Sequence, residues 1–234
     1  MSAIFKREFK SYFISPMGYG VLAIMTLFQG WFFALLFRGQ STDIGWLFSQ
    51  MTIFMFMLIP VLTMRTMSED RRQKVDQVLI TSPVGLYSIV LGKFLATFCI
   101  FMLSYSITIV FEVIIAFQNV SVNLLEYIGN ILGVALMGSA LIAIGIFVSS
   151  LTESQMVSAV VSFSISMVIY MIDFFGGLID NASVNKVVDA ISFTTRYNTF
   201  AEGLIDYSNV VFFLCFAAVF IFFTVRVLDK RRYS

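Results

Sequence analysis

An all-α polytopic membrane fold is the class this sequence predicts: an amino-terminal interfacial helix, then six transmembrane helices, with both termini in the cytoplasm. Three observations predict it. First, 59% of the 234 residues are hydrophobic and only 12% are charged, whereas a soluble domain carries about 25% charge, so too few charges are present to cover a water-facing surface. Second, six stretches reach the roughly 20 apolar residues that a hydrocarbon core of ~30 Å demands. They are apolar on all sides, whereas barrel strands alternate. Third, twelve of the fifteen Lys and Arg residues fall on one side of the resulting topology, and only Arg38, Lys186 and Arg196 on the other. The basic side is cytoplasmic by the positive-inside rule.

In chain order, the opening "FKREFKSYFISP" sets Ile4, Phe5, Phe9, Tyr12 and Phe13 at helical spacing opposite Lys6, Arg7 and Lys10. Residues 1–16 therefore read as an amphipathic helix in the membrane interface, stopped by Ser15-Pro16, or else as a basic flank that only sets orientation. The spans run from about Gly18 to Phe37, Ile44 to Thr63, Phe94 to Phe117, Tyr127 to Ser149, Val157 to Leu178, and Val210 to Leu228. Pro60 is expected to kink the second. Gly129, Gly133, Gly138, Ser139 and Gly145 suit the fourth to close packing. In the outer segment 179–208, Val187, Val188, Ile191 and Phe193 make one apolar face and Phe200, Leu204 and Ile205 a second. One or two short interfacial helices, or a segment packed over the bundle mouth, would explain them. The whole of 1–234 reads as a single transmembrane domain. Its first span is too long for a cleaved signal and lacks small residues at a cleavage spacing. Cys99 and Cys215 lie at different depths, so no disulfide is expected between them.

Much chemistry is excluded. The chain has no histidine, which removes His-based nucleophile activation and histidine metal sites. Two distant cysteines make no thiolate metal site, and no metal is expected. "GLYSIVLGKF" (85–94) resembles a phosphate-binding loop, but six residues separate its glycines where four are needed, and Phe94 follows Lys93 where Ser or Thr must hold magnesium. Lys93 reads instead as an anchor at the inner end of span three. Glu112 and Asp173 sit inside spans three and five, about 8 Å from their outer ends at 1.5 Å per residue. Intramembrane carboxylates are costly, so both are candidates for a translocation path or outer gate, paired with Arg38 or Lys186. Alternatively, both simply reach water.

The densest charge lies in "RTMSEDRRQKVDQVLITSP" (65–83). Asp70 and Lys74, and Arg72 and Asp76, stand at i,i+4, and Glu69 and Arg72 at i,i+3, spacings that support a helix. Val75, Val78 and Leu79 add an apolar ridge. Ser82-Pro83 then caps and opens a further helix that runs into span three, making 65–93 one inner segment.

Taken together, "FKREFKSYFISPMGY", "SEDRRQKVDQVLITSP", "IVLGKFLA", "GIFVSSLTESQMVSAV" and "YNTFAEGLIDYSNVVFF" resemble, in order along the chain, the ABC type-2 exporter permeases. The similarity is strongest to the short permeases of gliding-motility transporters. The resemblance implies that residues 1–16 are an elbow helix. It implies a dimer, of two copies or with a sister permease, carrying separate ATPase subunits that bind the ATP and Mg, this chain itself binding no cofactor. It places a coupling helix at Glu69, Asp70, Arg71, Arg72, Lys74, Asp76 and Gln77, docked on the ATPase. Relatives often carry Gly-Thr-Glu where this chain has "KVDQ". The implied setting is the bacterial inner membrane, with membrane lipid as a partner, room for an auxiliary extracytoplasmic subunit, and no nucleic acid. Three functions fit: a non-catalytic exporter subunit moving a lipid-linked, peptide or other amphiphilic substrate outward; a membrane anchor transmitting ATPase motion to an envelope protein without transport; and an ion-coupled carrier using Glu112 and Asp173.

Overall fold

A computed structural model describes residues 1–39, 43–75, 85–117, 124–176, 188, 191–204 and 206–232, with the side chains of 124 and 173–176 also outside the description. Among the described residues the chain is helical throughout: α1 (Ser2–Ile14), α2 (Pro16–Arg38), α3 (Ile44–Thr63), α4 (Ser68–Arg72), α5 (Leu86–Tyr105), α6 (Ile107–Ala116), α7 (Leu124–Leu151), α8 (Gln155–Gly176), α9 (Phe193–Ala201) and α10 (Tyr207–Arg232). Six of the described helical stretches are long and apolar enough to cross a membrane.

Local chemistry sets the starts of these helices. Ser15 caps α2, its hydroxyl accepting from Met17 N at 3.4 Å, with Pro16 in the first turn, where a missing N–H costs nothing. Asp43 caps α3 through Trp46 N at 3.2 Å, and Ser192 caps α9 through Thr195 N at 2.9 Å. The helix expected to run into span three does so, α5 starting at Leu86, eight residues before the expected start of the apolar span, but span three is not one helix. It breaks at Ser106 without a proline; the Ser104, Ser106 and Thr108 hydroxyls donate to the carbonyls of Phe101, Leu103 and Tyr105, satisfying acceptors at the break. Pro60 lies within α3.

The fourth span is the hub. α7 packs on α3, α5, α8, α9 and α10, and its apolar window is 72% buried, against 17% for α8 and 22% for α2 and α10. Its small residues make this possible: a Cβ on Gly145 would lie 2.1 Å from Thr63 Oγ1, and one on Gly129 2.4 Å from Phe200 O. The outer segment differs from expectation. α9 turns Phe193, Tyr197 and Phe200 (i, i+4, i+7) into the core, a face that joins the two expected ones, and Tyr197 Oη donates to Asn130 Oδ1 of α7 at 3.0 Å. It packs over the bundle mouth because its ridge meets Gly129 and Gly133. Val187 and Ile205 lie outside the described residues.

Candidate functional site at the α1–α4 face

After Thr63 the chain turns through Met64–Met67 into the five-residue α4. A helix this short cannot hold itself, since its first N–H groups have no partner within it. The end of span four supplies one. Ser149 Oγ accepts from Met67 N (3.1 Å) and Ser68 N (3.0 Å) and donates to Met64 O (3.0 Å), a cap delivered from another helix.

A second attachment is ionic. Asp70 takes Lys93 Nζ at 2.6 Å and Arg7 Nη2 at 3.0 Å; Lys93 also reaches Glu8 Oε1 at 3.0 Å and donates to Thr66 O at 2.5 Å. Arg7 closes the ring on Glu8 at 3.3 Å. Lys93 is only 1% exposed. Two cations and two carboxylates thus form a neutral cluster, which is what burial of an ammonium requires. It pins α1, α4 and α5 together. Nearby, a Cβ on Gly92 would meet Ile4 at 3.1 Å, so α1 lies against α5 beside Lys93. Tyr12 of α1 donates to Leu62 O at 3.0 Å and shares a hydrogen bond with Thr97 at 3.1 Å. Burial holds its phenol well above the ordinary tyrosine range.

A third attachment uses Arg71, which pairs with Glu153 at 2.9 Å and donates to Leu151 O at 2.9 Å. Arg231 at the end of α10 donates to Ser150 O, so the chain's two ends share this face with α4. Arg65 pairs with Glu69 at 2.6 Å and donates to the Ser15 hydroxyl.

Of the residues the sequence singled out, Arg72 and Lys74 are exposed, Arg71 and Glu69 are half-buried, and Asp70 is buried at 9% exposure. Asp76 and Gln77 lie outside the described residues, as do Val78, Leu79, Ser82 and Pro83. The expected helix over 65–83 is not continuous: α4 ends at Arg72, and Lys74 adopts a left-handed φ of 56°. Nor does the expected Asp70–Lys74 pair form. Buried Lys93 is the better partner, because water does not screen it as it screens Lys74. Glu69 likewise turns to Arg65 rather than Arg72. Lys93 is no snorkelling anchor; it is enclosed because α5 starts at Leu86, a turn and more before it.

Lys93, Glu8, Arg7 and Ser149 were therefore missed as a unit. One available signal was the Gly92-Lys93 pair, a small residue beside a lone lysine inside an apolar run, with Glu8 as the only acid in a basic helix.

At the opposite end, Glu112 in α6 is 9% exposed, and its Oε2 has no hydrogen-bond partner among the described residues. Thr108 and Tyr127 share a hydrogen bond of 3.1 Å. Arg38 is exposed and makes no ion pair with Glu112 among the described residues; Lys186 lies outside them. Asp173 is helical in backbone, its side chain outside the description. Glu112 and Asp173 are thus not brought together by any described contact.

Compared with known protein families, residues 37–226 match the family model of the ABC-2 family transporter proteins. No curated protein matches the chain.

Proposed function

Because this chain belongs to the ABC-2 family of transporter proteins, we propose that it is the non-catalytic transmembrane subunit of an ABC exporter, driven through α4 by a separate ATPase. It is a multi-pass membrane subunit of an ABC transporter. The observation that carries the finer reading is the triple fastening of α4: to α7 through Ser149, to α1 and α5 through Asp70, and to the α7–α8 turn through Arg71 and Glu153. A loop that merely joined two spans would need none of these. Fastened this way, a push on α4 is delivered to four helices at once, while Arg72, Gln73 and Lys74 stay exposed for a partner to grip.

In this reading the α4 face is cytoplasmic, as its excess of Lys and Arg favours, and the membrane is the bacterial inner membrane. ATP and Mg2+ stay on the partner ATPase, and Asp76 and Gln77 extend the contact. The sparsely buried α2, α8 and α10 leave apolar surface for lipid and for a second permease, a copy of this chain or a sister. The cargo is an amphiphile, lipid-linked or peptide, moved outward, with Glu112 and Asp173 toward the outer end of its path. Kinship with the gliding-motility permeases belongs to the same reading.

The test is co-purification from the native operon. Reversing Arg72 and Lys74 to Glu, both exposed, should abolish association with the ATPase without lowering the melting temperature. Unchanged association would remove α4 from the contact.

A further inference from the structure

We propose that the cleft between α1 and α4 is a binding site for the phosphodiester headgroup of an anionic phospholipid. The cleft has a volume of about 450 Å³. It is lined by Arg7, Lys10, Arg65 and Ser11, together with Tyr12, which is buried, and Ile14, which is 74% exposed. Charged donors together with an exposed apolar side chain suit an amphiphile.

The charges balance toward one negative unit. Glu8, Glu69 and Asp70 also face the cleft, but each is already paired: Glu8 and Asp70 with Arg7 and Lys93, Glu69 with Arg65. Against those three carboxylates stand four cations: Arg7, Arg65 and Lys10 in the lining, and the buried Lys93, which is not part of it. Lys10 is the surplus, exposed and without an ion-pair partner among the described residues. The guanidinium groups are not used up either. Arg7 meets both of its carboxylates through Nη2 alone, and Arg65 spends Nε and Nη1 on Glu69 and Ser15. A guanidinium has five N–H donors, so several remain for phosphate oxygens, the geometry that Arg favours. A phosphodiester carries one negative charge and matches the single surplus cation. Basic pockets beside membrane helices hold anionic headgroups in this way.

The inference rests on the reading that α1 lies at the membrane surface on the cytoplasmic side, where it would make lipid a structural part of the α1–α4 junction. The test is native mass spectrometry of the purified full chain, released from micelles containing phosphatidylglycerol or phosphatidylcholine. Phosphatidylglycerol should be retained over phosphatidylcholine, and Lys10→Gln should lower its retention about fivefold, the order of one surface cation. Lys6→Gln makes the same charge change on α1 outside the cleft and should leave retention unchanged. Equal losses in the two variants, or no preference between lipids, would overturn the site. A melting-temperature rise with inorganic phosphate in lipid-free detergent, lost in Lys10→Gln, without lipid retention, would assign the cleft to free phosphate and overturn the lipid. Neither readout involves the ATPase, so failure here leaves the coupling role of α4 standing, and failure of co-purification leaves this site standing.

Discussion

Replacing Lys93 with Met removes the charge at the centre of the α1–α4–α5 junction while keeping most of the side chain's volume. Lys93 is 1% exposed and touches two carboxylates, Asp70 at 2.6 Å and Glu8 at 3.0 Å, plus the carbonyl of Thr66. Breaking a buried ion pair from one side costs roughly 3–5 kcal/mol, because the stranded charges remain. Here Arg7 still reaches both carboxylates, at 3.0 and 3.3 Å, so the lower end applies, about 3 kcal/mol. For a chain of this size that is a drop of roughly 6–12 °C in melting temperature, readable from tryptophan fluorescence in detergent. Adding Asp70→Asn to Lys93→Met removes the stranded carboxylate and should restore about half the loss, the non-additivity that marks a shared network. Lys230→Met, at the end of α10, should shift the melting temperature by less than 2 °C, the order expected of a surface site. If Lys93→Met behaved like Lys230→Met, the cluster would not hold the junction together.

Other outcomes follow from neighbouring contacts. Gly129→Ala should destabilise by about 1–3 kcal/mol, because its Cβ would lie 2.4 Å from the backbone carbonyl of Phe200, whereas Gly20→Ala and Gly30→Ala, with open space around them, should be neutral or stabilise by about 0.5–1 kcal/mol. Thermal unfolding of the three variants checks this. Ser149→Ala should cost about 1 kcal/mol by uncapping α4, and amide exchange at Met67 and Ser68 should quicken while exchange in the middle of α7 stays slow. Tyr12 adds a pH dependence. Its folded phenol stays protonated above the ordinary range, while the unfolded one ionises near about 10. Unfolding therefore releases a proton above that value, and stability should fall as pH rises through it. Tyr12→Phe should flatten that fall in a pH series of melting temperatures, at a cost of about 1 kcal/mol below it.

The spans were legible because crossing ~30 Å of hydrocarbon leaves little choice of composition. Ile44–Thr63 has the same bounds in sequence and structure, and the first, fourth and sixth spans differ by one to four residues at their ends. The outliers have physical reasons. Span three runs past the expected start because Gly92 and Lys93, which look like its polar edge, are covered by α1. At its break at Ser106 three hydroxyls satisfy carbonyls, and no proline announces it. The glycines of the fourth span did signal close packing, though not that Thr63 and Phe200 would be what they meet.

The charged face was half legible. Its concentration of charge is visible in "SEDRRQK", but local spacing paired Asp70 with Lys74, four residues on. Its true partners are 63 residues before it and 23 after it, at Arg7 and Lys93. Helix periodicity can propose only neighbours on one helix. Tertiary burial overrode it, because an ion pair shielded from water outweighs an exposed one.

Site-specific photo-crosslinking in cells tests the central claim most directly. A photoreactive residue placed at Lys74, exposed just beyond α4, should form an adduct that mass spectrometry identifies as an ABC ATPase, and the same residue at Glu202 near the opposite end should form none. Adducts to the ATPase from Glu202 but not from Lys74 would place the motor on the other face and contradict the role assigned to α4; none from either would leave the chain without its motor.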